Sequence, residues 1–428
     1  MSIAAQVILW GTRIGTVALD DGEDAAIFEY DRDFLLSGMQ LSPLEMPLAR
    51  RVYSFPALAR ESFHGLPGLL ADSLPDKFGN AVIDAWLDSQ GRPRGSMNAV
   101  ERLCYTGVRG MGALEFQPTI GPDPAKSDEL DLDQLTKLAQ DVLNARKGIR
   151  ISQDEEAMAQ IIRVGSSAGG ARAKALIAWN EQTGDIRSGQ VNAGEGYTYW
   201  LLKFDGMDGN ADKEDDDAPC YTRIEYAYHL MAVDAGIQMS ECRLYEESGR
   251  HHFLTKRFDR TDSGEKLHMQ TLGAIAHFDF NQAGAYSYEQ AVDVARNLGL
   301  GQAEVEQLYR RMVLNVMARN NDDHVKNISF LMNKRGVWSL APAYDVTYAY
   351  NPHGAWTGRH QMSLNGKRDD ISYDDLLACA GHMSISARRA KAIVEGVRRA
   401  VKSWRSYAEK AGLEEAQAVA IETAFVDF

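Results

Sequence analysis

Cysteine is scarce in this chain. Four occur in 428 residues, Cys104, Cys220, Cys242 and Cys379, and no two form a Cys-x-x-Cys pair. That scatter speaks against a structural zinc site and against a disulfide framework, and it fits a reducing, cytoplasmic setting. Long apolar runs are missing too. No stretch approaches the ~18 residues that a membrane-spanning helix needs, so no membrane partner is expected. Residues 1–10 carry no basic region ahead of their apolar positions, which is not the pattern of a secretory signal. Basic charge is in deficit: 46 Lys and Arg stand against 60 Asp and Glu, a formal net charge of −14. Such a chain is not, as a whole, built to wrap nucleic acid. There is no Walker A motif, because Gly-Lys-[Ser/Thr] is absent, and no internal repeat or heptad pattern.

What is present is a hydrophobic fraction of 45%, enough for a sizeable core, and a length that suggests two or three domains. The stretch 302–345 carries the chemistry. Val305, Leu308, Tyr309, Met312, Val313, Val316 and Met317 recur at the spacing of one helix face. The face gives way to a polar loop, Arg319-Asn-Asn-Asp-Asp-His-Val-Lys-Asn327. A hairpin pattern follows, with apolar runs at 328–332 and 337–340 around an Asn-Lys-Arg-Gly turn. The unit closes on Ala341-Pro-Ala-Tyr-Asp345. Phosphoryl transfer needs a carboxylate near the acceptor hydroxyl and oxygen ligands for magnesium. Protein kinases take the first two from an Asp-x-x-x-x-Asn loop and the third from a later Asp. Asp322, Asn327 and Asp345 have that order and spacing. A solvated loop after a helix is the competing reading, since Asn and Asp are ordinary turn formers.

Upstream, residues 1–120 read as a small α+β domain with strand-like runs near 6–11, 13–19 and 26–30, and a helix through Val82, Ile83, Trp86 and Leu87. Residues 121–158 read as a connection with a helix near 132–146. The segment 161–179 places a Gly/Ser/Ala loop between apolar flanks. Small residues there (Ala168, Gly169, Gly170, Ala171) let backbone N–H groups, with Arg172 and Lys174, close on phosphate oxygens. A plain tight hairpin is the alternative. Lys203 lies inside the apolar strand 198–204, where a charge is costly unless paired; it reads either as an edge lysine that guards against aggregation or as the phosphate-contacting Lys of a kinase small lobe. A run of acidic residues at 208–217 reads as a solvated loop. The helix 222–236 carries Glu225, a candidate partner for Lys203. Strands near 241–246 and 251–258 lead to Lys256-Arg-Phe-Asp-Arg260, where a hinge would meet adenine. From 266 the chain reads as mostly helical. The C-terminal helix 386–405 carries Arg388, Arg389, Lys391, Arg398, Arg399, Lys402 and Arg405, a face suited either to solvent or to DNA phosphates.

These residues resemble the HipA family, kinase toxins of bacterial toxin–antitoxin pairs. The likeness runs through 69–78 and 105–116, the Gly/Ser loop at 164–174, the hinge at 255–260, the loop at 321–327 and the Asp segment at 341–346. It implies an α+β fold: a protein-kinase-like bilobal core with a mixed small lobe of antiparallel strands (159–260) and a mainly helical large lobe (261–428), after a small N-terminal α+β domain. It implies ATP and Mg2+ as cofactors. Asp322 would be the catalytic base, and Asn327 and Asp345 the metal ligands. Lys203 would hold the phosphates and Lys256 and Phe258 would frame adenine, with His324 beside the nucleotide. It implies autophosphorylation of a loop serine, Ser167 or its neighbour Ser166. The partners implied are a helix-turn-helix antitoxin resembling HipB, operator DNA in a two-fold assembly, and a protein substrate such as an aminoacyl-tRNA synthetase. Two other functions stay open: a DNA co-repressor with vestigial kinase chemistry, and a small-molecule kinase of the aminoglycoside type.

Overall fold

A computed structural model describes residues 3–20, 22–121, 130–146, 162, 164–165, 172–207 and 220–428. The loop residues Ser166, Ser167, Ala168, Gly169, Gly170 and Ala171 and the acidic run 208–217 lie outside that set. The chain divides into two compact units. The first holds residues 1–217, 245–270 and 331–337; the second holds 218–244, 271–330 and 338–428.

The first unit contains two five-stranded sheets. In one, β1 (Ile3–Leu9), β2 (Thr12–Leu19), β3 (Ile27–Tyr30), β4 (Val52–Ser54) and β5 (Leu114–Gln117) run in the order β4-β3-β2-β1-β5. Ala5 and Val7 of β1 face the ladder partners Val17 and Gly15 of β2, and Val17 faces Phe28 of β3, so these buried residues share one face; Ile14, at a register shift in the β1–β2 ladder, is fully buried as well. The second sheet comprises β6 (Lys174–Trp179), β7 (Ile186–Ser188), β8 (Thr198–Lys203), β9 (Cys242–Glu247) and β10 (Arg250–Lys256), in the order β7-β6-β8-β10-β9. The turn from β9 to β10 places both Ser248 and Gly249 at positive φ (50° and 77°), the backbone of a type I′ hairpin whose twist matches its strands.

The helix Leu132–Arg146 is more than a connection between domains. Leu132, Leu135, Ala139, Val142 and Leu143 share one face and are buried. They join Phe78, Val82 and Ile83 of the helix Lys77–Ser89 and Ala175, Trp200 and Leu202 of the second sheet in one apolar cluster. At ~1.5–3 kcal/mol for each large apolar side chain removed from water, this face makes the segment part of the core.

The second unit is mainly helical. Gln302–Met317 is its central helix, capped at Gly301 by Glu304, with its predicted apolar face fully buried. Ala387–Lys402 starts on a Ser386 cap and stops at Ser403, where Trp404–Lys410 begins. The helix Tyr221–Asp234 belongs here, although its sequence position suggests company with the strands before it. Its buried Tyr228 donates to the Ala318 carbonyl at 2.5 Å and meets the Trp404 ring edge-on at 5.3 Å. The hairpin pattern is realised as Ser329–Met332 and Trp338–Leu340, turned by Asn333 and a positive-φ Gly336.

Four histidines, three buried and His277 part-buried, make the folded chain sensitive to acid. Burial pushes His229, His252 and His277 down from 6.5 to about 4, and His268 to about 3. The unfolded chain protonates these rings near pH 6.5 while the folded chain leaves them neutral. Stability is therefore full above that value and is lost as pH falls through the window below it, by ~1.4 kcal/mol per pH unit for each ring. Melting temperatures are expected to hold level between pH 7.5 and about 6.5 and then fall toward pH 5. A flat profile would mean that these rings protonate without unfolding.

Candidate active site

The carboxylates sit in the second unit, on a loop that the central helix delivers. The helix ends at Ala318, and Arg319 takes a left-handed backbone (φ 55°) where many helices place glycine. That turn lets Asn320 donate back to the Asn315 carbonyl at 2.9 Å. The loop then pairs with the chain after Asp345. Asn321 N–H donates to Ala349 O, and Ala349 N–H to Arg319 O, at 3.0 and 3.1 Å. On the other side of Asp345, Ala343 N–H donates to Gln238 O at 2.8 Å. Asp345 is thus held between two pairings, at φ 51°, a conformation that is unusual outside glycine and is common where side chains are aimed for function.

Asn327 closes the geometry. Its Nδ2 donates to the Asp322 carbonyl at 2.8 Å, which fixes the amide orientation and leaves Oδ1 as its acceptor end. Asn327, Asp345, His324, Asp323 and Arg311 line one cavity of about 30 Å³. Arg311 is almost fully buried, donates to Ala341 O at 2.7 Å, and is pulled down to about 10 by that burial. It bonds the start of the segment that ends in Asp345. Among the described residues, no group of three or more His, Cys, Asp or Glu side chains is arranged to hold a metal ion. An Asn oxygen and one carboxylate still suit Mg2+, which commonly takes one or two carboxylates from the protein and the rest from substrate phosphates and water.

Asp322 and Asp323 have opposite surroundings. The Asp322 side chain is 42% exposed, and its Oδ1 accepts from the Trp356 indole at 2.6 Å. His324 Nε2 is 3.9 Å from that oxygen, and the His324 ring meets Phe280 edge-on at 5.8 Å. Asp323 is buried. It accepts from Tyr288 Oη at 2.7 Å, from Gln361 N–H at 2.7 Å, and contacts His360 Nδ1 at 3.0 Å. Burial first, then the Asp323 charge, lifts the Tyr288 phenol well above its ordinary value, so it stays a donor. Asp323, Trp356 and His360 are functional candidates that reading in one dimension passed over. The adjacent Asp-Asp pair was visible; partners 34 to 38 residues away were not.

The first unit holds the remaining candidates. Lys174 and Lys203 are direct ladder partners across β6 and β8, so both side chains share one sheet face, and both are buried. Lys174 has a partner that its sequence position does not suggest. Its Nζ lies 3.0 Å from Asp76, the residue that caps the helix Lys77–Ser89. Lys203 Nζ sits 5.9 Å from the Phe253 ring centroid. Arg172 is half-buried just before β6. Along the hinge the side chains alternate. Lys256 and Phe258 are part-exposed, with Lys256 Nζ 2.7 Å from Asp262, whereas Arg257 and Asp259 face inward and are buried. Glu225 is buried on the helix Tyr221–Asp234 of the second unit. The C-terminal basic face is largely committed within the chain. Arg389 pairs with Glu306, Arg398 with Glu395 and Asp427, Lys402 with Asp427, and Arg405 with Glu415 and Glu422.

Comparison with known proteins decides the family. Residues 166–404 match the HipA-like C-terminal domain and residues 5–117 match the HipA N-terminal domain. The chain belongs to the HipA family. Its fold is similar to that of a HipA chain from Shewanella oneidensis MR-1, solved as a toxin–antitoxin system of HipA, HipB and operator DNA. The TM-score is 0.68 at 16% identity, over 98% of this chain and 95% of that one. This confirms the α+β HipA fold. By sequence, the chain is 30% identical over 171 residues to a Sinorhizobium fredii protein named "Putative kinase Y4dM", covering 39% of this chain. It is 28% identical over 143 residues to a Haemophilus influenzae protein named "Putative kinase", covering 30% of this chain. The matches span 40% and 42% of those curated relatives' lengths. No helix among the described residues is long and apolar enough to cross a membrane.

Proposed function

We propose that this HipA-family protein is an ATP- and Mg2+-dependent serine/threonine protein kinase acting as the toxin of a toxin–antitoxin pair. The observation that carries the reading is the joining of Asn327 and Asp345 on one cavity, with the Asn327 amide bonded to Asp322. In this reading Asp322 accepts the proton of the acceptor hydroxyl as its oxygen bonds to the γ-phosphorus and the bond to the β–γ bridging oxygen breaks, releasing ADP. Asn327 Oδ1 and the Asp345 carboxylate hold Mg2+, which, when bound, supplies positive charge against the nucleotide phosphates. Lys203 contacts the α- and β-phosphates, and Lys256 and Phe258 flank adenine. The chemistry leaves the protein mostly positioning and electrostatics. Lys174 stands as a loop-side contact in this reading, though its Asp76 pair gives it a structural task as well. Regulation is proposed through autophosphorylation of Ser167 or Ser166. The Shewanella complex with HipB and operator DNA supports an antitoxin and DNA as partners; a helix-turn-helix form for that antitoxin and a two-fold assembly are part of the proposal. An aminoacyl-tRNA synthetase is the proposed class of protein substrate.

Incubation of the purified protein with ATP and Mg2+, followed by phosphosite mapping by mass spectrometry, tests the reading. Phosphate on Ser167 or Ser166 that depends on Mg2+ is expected. No incorporation above a chelator control, with protein substrate supplied, would overturn it.

A further inference from the structure

We infer that Trp356 is a positioning residue for Asp322: its indole N–H holds Oδ1 and so sets the orientation of the carboxylate toward the acceptor hydroxyl. The inference rests on the kinase reading of the site. It starts from the 2.6 Å bond between Trp356 Nε1 and Asp322 Oδ1. A charge-assisted bond of that length restrains the terminal torsion of a carboxylate that is 42% exposed.

The segment carrying Trp356 is built into the catalytic loop, not laid over it. Asn321 Nδ2 donates to Thr357 O at 2.9 Å. Gln361 Nε2 donates to Trp356 O at 2.5 Å, and Gln361 N–H donates to Asp323 Oδ1 at 2.7 Å. His360 Nδ1 meets Asp323 Oδ2 at 3.0 Å, and the same oxygen accepts from Tyr288. Asn315 Nδ2 donates to Tyr288 Oη at 3.0 Å, and Asn315 Oδ1 accepts from Asn320 Nδ2 at 3.0 Å. Asn321, Asp323, His360, Gln361 and Tyr288 are all buried. The loop's two aspartates therefore divide the work. Asp323 fastens the segment, and the fastened segment returns a donor to Asp322. A lid that blocked the base would be joined by few exposed bonds and would release; this one is anchored by a buried network that converges on the residue next to the base.

Trp356→Phe keeps the ring's bulk and removes the donor. With active wild-type protein, kcat is expected to fall about 10- to 100-fold while KM for ATP stays within about twofold, the signature of lost positioning and not of lost binding. In an Asp322→Ala background the same change should add nothing, because the two residues act as one unit. The indole ¹⁵N–H resonance, assigned by its absence in Trp356→Phe, should shift in Asp322→Ala; this reports the contact whether or not the protein transfers phosphate. Unchanged or raised kcat in Trp356→Phe, or an equal loss in the Asp322→Ala background, would overturn the role of Trp356 alone. A wild-type protein that binds ATP and transfers nothing would remove the kinase reading and this role with it.

Discussion

Asp322→Ala is expected to lower phosphoryl transfer from labelled ATP by ~10²–10⁴-fold, the range for losing a positioned general base, while the protein stays folded. The second half follows from what Asp322 holds together. The loop's structural bond at this residue runs through its carbonyl, which accepts from Asn327, and a backbone oxygen survives the substitution. Its carboxylate is part-exposed and bonds the Trp356 indole, which stays tied through Gln361 and Asn321. The neighbouring Asp323→Ala should behave in the opposite way. It strips a buried acceptor from Tyr288, His360 and Gln361 together, and leaving buried donors unsatisfied costs ~1–3 kcal/mol each. Transfer assays beside circular-dichroism melts separate the two. Unchanged transfer in a folded Asp322→Ala protein would move the base elsewhere.

Asp259→Ala is expected to be among the most destabilising single changes in the first unit, at ~3–5 kcal/mol, the cost of breaking a buried ion pair from one side. Asp259 is fully buried between two guanidinium groups. Arg257 grips it through Nε and Nη2 at 2.9 and 2.7 Å, and Arg260 Nη1 is at 2.8 Å. Burial by itself would raise this carboxyl; the charges of Arg257 and Arg260, with their hydrogen bonds and that of Gly112, hold it well below the usual carboxylate range. The same cluster ties the hinge to the N-terminal domain. Gly112 N–H donates to Asp259 at 2.7 Å, and Arg260 donates to the Gly110 and Gly112 carbonyls at 3.2 and 3.0 Å. Removing the carboxylate leaves two buried cations facing each other, and burial and Arg257 already pull Arg260 down to about 10. Denaturant unfolding followed by fluorescence should show the loss as an earlier first transition. An unchanged midpoint would mean that the guanidinium groups find other acceptors.

The motif 105–116 and the hinge 255–260 were each legible as strings of residues. Their joining was not, because Gly112 and Asp259 are 147 positions apart and carry no shared periodicity. The same holds for Lys174, which looks like a loop lysine until β6 sets it beside Asp76. Local signals fared better. The face of Gln302–Met317, the turn at Ser248 and Gly249, and the hairpin after Asn327 are all determined by neighbours within a few residues, and each formed where its pattern placed it. The helix read near 132–146 formed at Leu132–Arg146. That its apolar face joins Phe78, Val82 and Trp200 in one cluster was not legible, because those partners come from distant segments.

The loop at 319–327 shows where the division lies. By itself the sequence determined the Asp-x-x-x-x-Asn spacing, the later Asp345, and hence the types of group available for phosphoryl transfer, because backbone geometry links such residues over short distances. Only the tertiary structure decided which of two adjacent aspartates would be buried and which left open. That choice was made by Tyr288, His360, Gln361 and Trp356, which reach the loop from other segments. A buried carboxylate must be satisfied by donors, and donors from distant segments arrive only when the chain has folded.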